Sequence, residues 1–151
     1  MEWHWLSFDA LSREQLYALL RLRSEVFVVE QNCVFLDIDG LDQQAMHLLG
    51  FRTFDGIPTL VAYVRCFPAG IVFEEASIGR VVTQPAARGG GLGHLLMAEA
   101  LRALLAHWGP QPIRIGAQAQ LKNFYQQHGF VDMGLPYVED GIDHLEMVRA
   151  A

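Results

Sequence analysis

Lysine is almost absent from this sequence. Lys122 is the only lysine among 11 basic residues, and 17 acidic residues bring the net charge to −6. Domains that bind nucleic acid carry a basic face that neutralises phosphates, so binding to DNA or RNA is not expected. A negative field attracts cations instead, which favours a cationic small molecule as a partner.

Cysteine and long apolar runs are also scarce. Cys33 and Cys66 are the only cysteines, and they form neither a C-x-x-C pair nor a Cys/His cluster with the spacing of metal ligands. No metal site is expected, and both thiols are expected to be reduced. No apolar run reaches the roughly 20 residues of a membrane span, and the N-terminus lacks a signal-peptide pattern. These absences predict a cytoplasmic protein with no membrane partner.

The composition that remains is that of a globular domain. Hydrophobic residues make up 52% of the 151 residues and charged residues 19%, which is far from the composition of disordered chains. No internal repeat and no linker rich in Ser, Gly or Pro divides the chain. A single domain over residues 1–151 is therefore predicted.

Hydrophobic periodicity and turn residues predict the element order β-α-β-β-β-α-β-α-β-β. Ser12 begins the first helix with Gln15 as its capping-box partner, and Asp-Gly pairs at 55–56 and 140–141 predict hairpin turns. The expected strands are residues 3–8, 46–54, 59–67, 77–83, 113–117, 135–139 and 144–148. A strand, a glycine-rich loop, a helix and a strand in succession imply a parallel pair. The fold class is thus α/β, a mixed sheet flanked by helices.

The loop from Arg88 to Gly93 is the most informative segment. Its sequence R-G-G-G-L-G lies between a strand and a helix, where close backbone approach and the free N–H groups of the helix start favour an anion. A nucleoside-triphosphate loop needs Lys and Ser or Thr after its last glycine, whereas His94 and Leu95 follow Gly93 here. The dinucleotide pattern G-x-G-x-x-G/A fails at Leu96. The loop is therefore expected to bind a phosphate-containing ligand outside these two classes. The alternative, a tight turn without a ligand, is less favoured.

The pattern R-x-x-G-x-G resembles the coenzyme A pyrophosphate loop of GNAT acetyltransferases. Ala117-Gln118 and the block F-Y-Q-Q-H-G-F at 124–130 resemble the A-Q and F-Y-x-x-x-G-F segments of the same family. Further segments are similar to its ElaA-like subgroup, namely V-F-V-V-E-Q-N-C at 26–33, D-I-D-G at 37–40, I-G-R-V at 78–81 and E-D-G-I at 139–142. The resemblance implies a mostly antiparallel sheet with a central parallel pair. It also implies an N-acetyltransferase that uses acetyl-CoA and no metal and acts on a primary amine by direct attack in a ternary complex.

The resemblance also implies roles for particular residues. Tyr125 is the expected catalytic acid, which protonates the leaving sulfur of coenzyme A. A backbone N–H near Val81 or Val82 would polarise the acetyl carbonyl. The expected cofactor-binding residues are Val81, Val82, Thr83, Arg88, Gly89, Gly90, Gly91, Leu92, Gly93, His94 and Gln118. The expected acceptor-site residues are Arg23, Phe27, Glu30, Gln31 and Glu75.

The sequence leaves more than one candidate for the general base, for the function and for the acceptor. The general base has several candidates, namely Glu30, His47, Glu74, Glu75, His144 or a chain of waters. The alternative functions are a non-catalytic acyl-CoA-binding module and, from the R-x-x-V-F pattern at 23–27, an enzyme like the acyl-homoserine-lactone synthases. The amine acceptor is a small molecule or a peptide. An exposed edge at the last hairpin would permit a homodimer.

Overall fold

The computed structural model describes all residues 1–151 and contains seven strands and three α-helices. The strands are β1 (Glu2–Ser7), β2 (Met46–Phe54), β3 (Ile57–Phe67), β4 (Ala76–Thr83), β5 (Ile113–Gln118), β6 (Phe130–Glu139) and β7 (Ile142–Arg149). The helices are α1 (Arg13–Arg23), α2 (Leu92–Trp108) and α3 (Lys122–Gln126), and a π-helical segment, Ser24–Glu30, continues α1. The predicted order of strands and helices is confirmed.

One mixed sheet contains all seven strands in the order β1-β2-β3-β4-β5-β7-β6. Every neighbouring pair is antiparallel except β4 and β5, which α2 connects. The parallel pair is formed only at Ala76 with Ile113 and Ser77 with Arg114. Beyond those residues β4 and β5 are not bonded to each other, so a gap opens between them in the middle of the sheet.

The helices cover opposite faces of this sheet. Ser12 caps α1, because its hydroxyl accepts from the Gln15 N–H at 3.0 Å and the Gln15 side chain accepts from the Ser12 N–H at 2.8 Å. The apolar side of α1 packs against β2, β3 and β4, through Leu19, Leu22, Leu49, Tyr63 and Val82. The apolar side of α2 packs in the larger core, with Leu96, Met97, Ala100 and Leu104 fully buried. Both helices thereby fix the segments that flank the gap.

The last hairpin is longer than its sequence pattern predicts. The prediction began the sixth strand at residue 135, whereas β6 begins at Phe130. Gly134 and Pro136 resemble strand breakers, but the register shifts between Asp132 and Pro136, and Gly134 has φ +72°. A bulge accommodates both residues without ending the strand. The Asp-Gly turns are confirmed, since Asp55, Gly56, Asp140 and Gly141 all have positive φ.

The third helix is short. It forms over Lys122–Gln126, after a 3-10 turn at Ala119–Leu121. No helix of the chain combines the length and the apolar character needed to cross a membrane.

Candidate active site

A bulge in β4 bends the strand where it leaves β5. Tyr63 of β3 faces Val82, and Arg65 faces Gly79, so one β3 residue lies opposite two residues of β4. One of those two is Arg80, a non-glycine residue with φ +52°. Such a backbone conformation is unfavourable for a residue with a long side chain, so the surrounding structure must hold it.

A largely buried network of three arginines and three aspartates holds this bulge. Arg80 Nε donates to Asp37 Oδ1 at 2.8 Å, and Arg23 Nε donates to the other oxygen of that carboxylate at 2.9 Å. Arg23 Nη1 also donates to Asp42 Oδ1 at 2.6 Å. The segment before β2 is thus clamped to both α1 and β4.

Arg65 completes the network from the middle of β3. Its Nη1 donates to Asp39 Oδ1 and to Asp42 Oδ1, both at 2.9 Å. Arg65 is 4% exposed, and its guanidinium lies 5.0 Å from the centre of the Phe67 ring. Burial alone would raise the pKa of Asp42, but hydrogen bonds and charges from Arg23 and Arg65 outweigh burial and hold this pKa below its usual value. Three positive and three negative charges therefore compensate one another.

His47 lies beneath this network and outside the cleft. It is fully buried, with Nε2 2.9 Å from the backbone oxygen of Asp42 and Nδ1 2.6 Å from the Tyr63 hydroxyl. Burial lowers the pKa of His47. Since both ring nitrogens are already hydrogen-bonded in the core, His47 has no free nitrogen for an acceptor amine.

The glycine loop exposes a run of unused N–H groups. Gly89, Gly90 and Gly91 have φ values of +100°, +64° and +78°, and no atom lies within 4 Å of where a Cβ would be. The first N–H after Arg88 to find a backbone acceptor is that of Leu95, which donates to Gly91 at 3.0 Å. The N–H groups of residues 89–94 are thus available at the positive end of the α2 dipole, which is an arrangement that binds phosphates.

Arg88 is paired within the protein. Its Nη1 and Nη2 donate to the two carboxylate oxygens of Glu30 at 2.9 and 2.7 Å, and Nη2 lies 3.3 Å from the Thr83 oxygen. The hydrogen bond from Arg88 lowers the pKa of Glu30. This ion pair joins the loop to the segment that follows α1.

A cleft of about 710 Å³ extends from the gap between β4 and β5 to the hairpin of β6 and β7. Tyr125 of α3 lines it and is 6% exposed. Burial raises the pKa of this tyrosine well above its usual value, so the phenol remains protonated at physiological pH. The rings of Phe124 and Phe130 meet it edge to face at 5.1 and 6.0 Å, which fixes its orientation.

The expected site residues fall into three groups. Five line the cleft, namely Phe27, Gln31, Val81, Gln118 and Tyr125. Gln118 and Gln31 meet across it, with Nε2 3.3 Å from Oε1. The residues from Arg88 to His94 form the loop, with Leu92 buried as the anchor of α2.

The third group lies outside the cleft. Arg23 belongs to the buried network, and Glu30 is paired with Arg88. Glu75 is paired with Arg114, whose Nη2 lies 3.0 Å from Oε2. Val82 buries its side chain under α1, and Thr83 ends β4 before the loop. Both residues therefore present only main-chain groups to a ligand in the gap.

The wall opposite α3 was not predicted from the sequence. Asp39, Arg65 and Phe67 line it, and the segment D-I-D-G by itself indicates only a resemblance to the subgroup. An arginine inside the apolar run L-V-A-Y-V-R-C-F is the signal that could have identified it, because arginine is rarely buried without a partner. No group of three or more His, Cys, Asp or Glu side chains is placed to hold a metal.

Comparisons with known proteins agree with this geometry. The profile of the Acetyltransferase (GNAT) domain family matches residues 56–151. The ElaA protein of Escherichia coli K12 is 45% identical over 151 residues, which cover 99% of this chain and 96% of ElaA. The crystal structure of Escherichia coli ElaA matches with a TM-score of 0.87 over 98% of each chain.

A second solved structure is equally similar. The acyl-CoA N-acyltransferase of Pseudomonas aeruginosa is 43% identical and has a TM-score of 0.90, covering 99% of this chain and 100% of that one. The seven-stranded mixed sheet with its parallel β4–β5 pair is the fold of these relatives. The chain therefore belongs to the GNAT acetyltransferase family, in which it is similar to ElaA over its whole length, and it is an acyltransferase.

Proposed function

We propose that this protein transfers the acetyl group of acetyl-CoA to a primary amine, by direct attack in a ternary complex. The observation that carries the proposal is the arrangement of three features around the C-terminal end of β4. The glycine loop with its free N–H groups follows β4, β4 is no longer paired with β5 beyond Ser77, and Val81 of β4 lines one cleft together with Tyr125. Phosphate, amide arm and thioester of one molecule of acetyl-CoA match these parts in that order.

The donor side of the cleft fits coenzyme A. Main-chain groups of β4 beyond Ser77 have no partner on β5, so the amides of pantetheine would take the place of the missing strand contacts. Val81, Val82 and Thr83 would bond that arm through main-chain atoms, and Gln118 would do so through its amide. The loop from Gly89 to His94 would bind the pyrophosphate, with Arg88 beside it.

The transfer step uses groups that the cleft presents. The acceptor nitrogen attacks the thioester carbon, and a backbone N–H at Val81 or Val82 stabilises the developing oxyanion. The C–S bond then breaks, and Tyr125 donates its proton to the sulfur. The sum is R–NH₃⁺ and acetyl-CoA giving R–NH–CO–CH₃, coenzyme A thiol and one proton.

We place the activity in the cytoplasm, in a single domain over residues 1–151, with a small-molecule or peptide amine as acceptor. Phe27 and Gln31 line the acceptor end of the cleft. Arg23, Glu30 and Glu75 support that end indirectly, through the ion pairs that fix the segments around it.

Titration calorimetry with acetyl-CoA tests the donor site, with ATP and NAD as control ligands. Gly91→Asp places a carboxylate at the loop, whereas Gly91→Asn places an uncharged side chain of the same shape there. Both residues tolerate positive φ better than other side chains, so the pair isolates charge from backbone strain. Binding of acetyl-CoA that Asp abolishes and Asn largely preserves supports the site; absence of binding at millimolar acetyl-CoA would refute it.

A panel of primary amines tests the transfer itself. Alkylamines, arylalkylamines, amino acids, aminoglycosides and peptides are incubated with acetyl-CoA, and release of the thiol is followed. Turnover with at least one amine supports the enzyme. Tight binding of acetyl-CoA without turnover of any amine would instead identify a non-catalytic acyl-CoA-binding module.

A further inference from the structure

His144 of β7 lines the same cleft as Tyr125. It pairs with Gln118 of β5 and with Tyr137 of β6, and its side chain lines the cleft. The side chain is 11% exposed, so water has little access to it. Two proton-transfer groups, a phenol and an imidazole, thus face one cavity from separate elements.

The hydrogen bond at one ring nitrogen defines what the other can do. Nδ1 of His144 lies 2.7 Å from the backbone oxygen of Ile142. A carbonyl oxygen only accepts, so Nδ1 carries the hydrogen, and Nε2 of the neutral ring carries a lone pair. Nε2 is therefore the nitrogen that can take a proton.

The neighbouring side chains hold the ring of His144 in place. Tyr137 stacks on it with ring centres 5.3 Å apart and planes 23° apart. Glu139 Oε2 lies 3.9 Å from Nε2, which is too far for a hydrogen bond, so Nε2 stays free. The other titratable groups of the hairpin at this cleft are Asp140 and Glu146, both acidic.

The other side-chain candidates for the general base are either bonded to other groups or lie outside the cleft. His47 is buried with both nitrogens bonded, Glu30 is paired with Arg88, and Glu75 is paired with Arg114. Glu74 is exposed and does not line the cleft. Among the candidates from the sequence, His144 alone combines a place in the cleft with a free proton-accepting atom.

We propose that Nε2 of His144 is the general base of the reaction, an inference that rests on the proposed acetyl transfer. An amine is protonated at neutral pH and has no lone pair to attack with. His144 takes one proton from the bound R–NH₃⁺, and the freed nitrogen forms its bond to the thioester carbon. The nitrogen loses its second proton to solvent, the C–S bond breaks as Tyr125 protonates the sulfur, and both side chains return to their starting states through solvent.

The test compares His144→Asn with wild type, using the amine that turns over fastest in the panel above. Asparagine retains a donor near the position of Nδ1, so the contact with Ile142 can persist while the base is removed. We expect kcat/KM at pH 7 to fall by about 10²-fold or more, with acetyl-CoA affinity by calorimetry unchanged. The ascending limb that deprotonation of the general base produces in the pH profile of kcat/KM should disappear. His107→Gln, an exposed histidine at the end of α2, is the matched control and should behave as wild type.

A second acceptor separates a chemical role from a structural one. The β,β-difluoro analogue of the same amine is far less basic, so a large part of it is already unprotonated at neutral pH. The penalty of His144→Asn should shrink at least about tenfold with this analogue, because much less of the substrate needs a general base. A penalty that is equal for both amines would overturn the proposal.

The outcomes distinguish a failure of the proposed role of His144 from a failure of the proposed acetyl transfer. If wild type turns over an amine and His144→Asn retains its rate and pH profile, His144 is not the base and the acetyltransferase stands. If wild type binds no acetyl-CoA and acetylates no amine, the proposed function fails and the role of His144 fails with it. If His144→Asn does not fold, His144→Gln under the same two-amine comparison decides the question.

Discussion

Arg88 and Glu30 form a bidentate ion pair, with Nη1 2.9 Å from Oε2 and Nη2 2.7 Å from Oε1. The pair connects the loop proposed to bind pyrophosphate with the segment that carries Phe27 and Gln31, which line the cleft. A phosphate that approaches Arg88 must therefore share this guanidinium with a carboxylate or displace it. Two roles for Arg88 follow, and they predict opposite effects of one substitution.

If Arg88 contacts phosphate, Arg88→Ala should weaken acetyl-CoA binding by about tenfold, whereas Glu30→Gln should strengthen it. Removal of the competing carboxylate leaves the guanidinium free for the ligand. Binding of wild type, Arg88→Ala and Glu30→Gln is measured at two salt concentrations, and the Glu30 variant should show the steeper salt dependence. If both variants bind more weakly, Arg88 serves only to hold the loop through Glu30.

Tyr125→Phe should lower kcat by about 10²-fold or more and leave the affinity for acetyl-CoA unchanged. The hydroxyl makes no hydrogen bond within the protein, while the ring is held by Phe124 and Phe130. Thermal unfolding should therefore be nearly unaffected. Burial raises the pKa of this phenol, so wild type should show no descending limb from Tyr125 below about pH 10. An unchanged kcat in Tyr125→Phe would remove the proposed acid.

The arginine–aspartate network should make the free energy of unfolding depend on pH, with lower stability in acid. The pKa of Asp42 is lowered in the folded state, so its contribution to the free energy of unfolding is present above its usual pKa of about 4 and is lost as pH falls through the lower folded value. Asp42→Asn should destabilise the protein at pH 7 by about 3–5 kcal/mol, because Arg23 and Arg65 lose a buried counter-charge.

Urea unfolding between pH 7 and pH 2 measures this dependence. The difference between wild type and Asp42→Asn should be largest at neutral pH and should narrow below pH 4. Asp9→Asn, at an exposed position, is the control and should follow wild type throughout. A constant difference at all pH values would show that Asp42 acts through shape and not through charge.

The sequence allowed much of the fold to be predicted, because short-range chemistry determines it. The capping box at Ser12, the Asp-Gly turns and the loop before α2 each depend on a few neighbouring residues. The network could not be predicted, since Arg23, Asp42 and Arg65 come from three elements that only the tertiary fold brings together. The extension of β6 back to Phe130 could not be predicted either, because its pairing with β7 is a tertiary contact.

The same limit applies to the site. The glycine loop and Tyr125 belong to contiguous motifs, so their residue types and spacing pointed to them. His144 was one of several candidates for the base, because nothing local distinguishes it from His47. The difference lies in hydrogen bonds: the core uses both nitrogens of His47, whereas the hairpin uses one nitrogen of His144.

The side chain of Tyr137 occupies the space directly beside Gly116. A Cβ at position 116 would clash with the Tyr137 hydroxyl oxygen, so Gly116→Ala requires this side chain to move. Tyr137 stacks on His144, and its displacement should misorient the imidazole. We expect kcat to fall between about 10- and 10²-fold, as small displacements of catalytic groups do.

A double-mutant cycle with Tyr137→Ala identifies the cause of that loss. In the Tyr137→Ala background the clash is gone, so adding Gly116→Ala should change kcat little, and the coupling energy should be about 1–3 kcal/mol. Calorimetry with acetyl-CoA accompanies each variant, since position 116 also lines the cleft. If Gly116→Ala is equally harmful in both backgrounds and weakens acetyl-CoA binding, the added methyl group obstructs the ligand directly. Coupled losses in kcat at constant affinity would instead show that the aromatic stack positions His144.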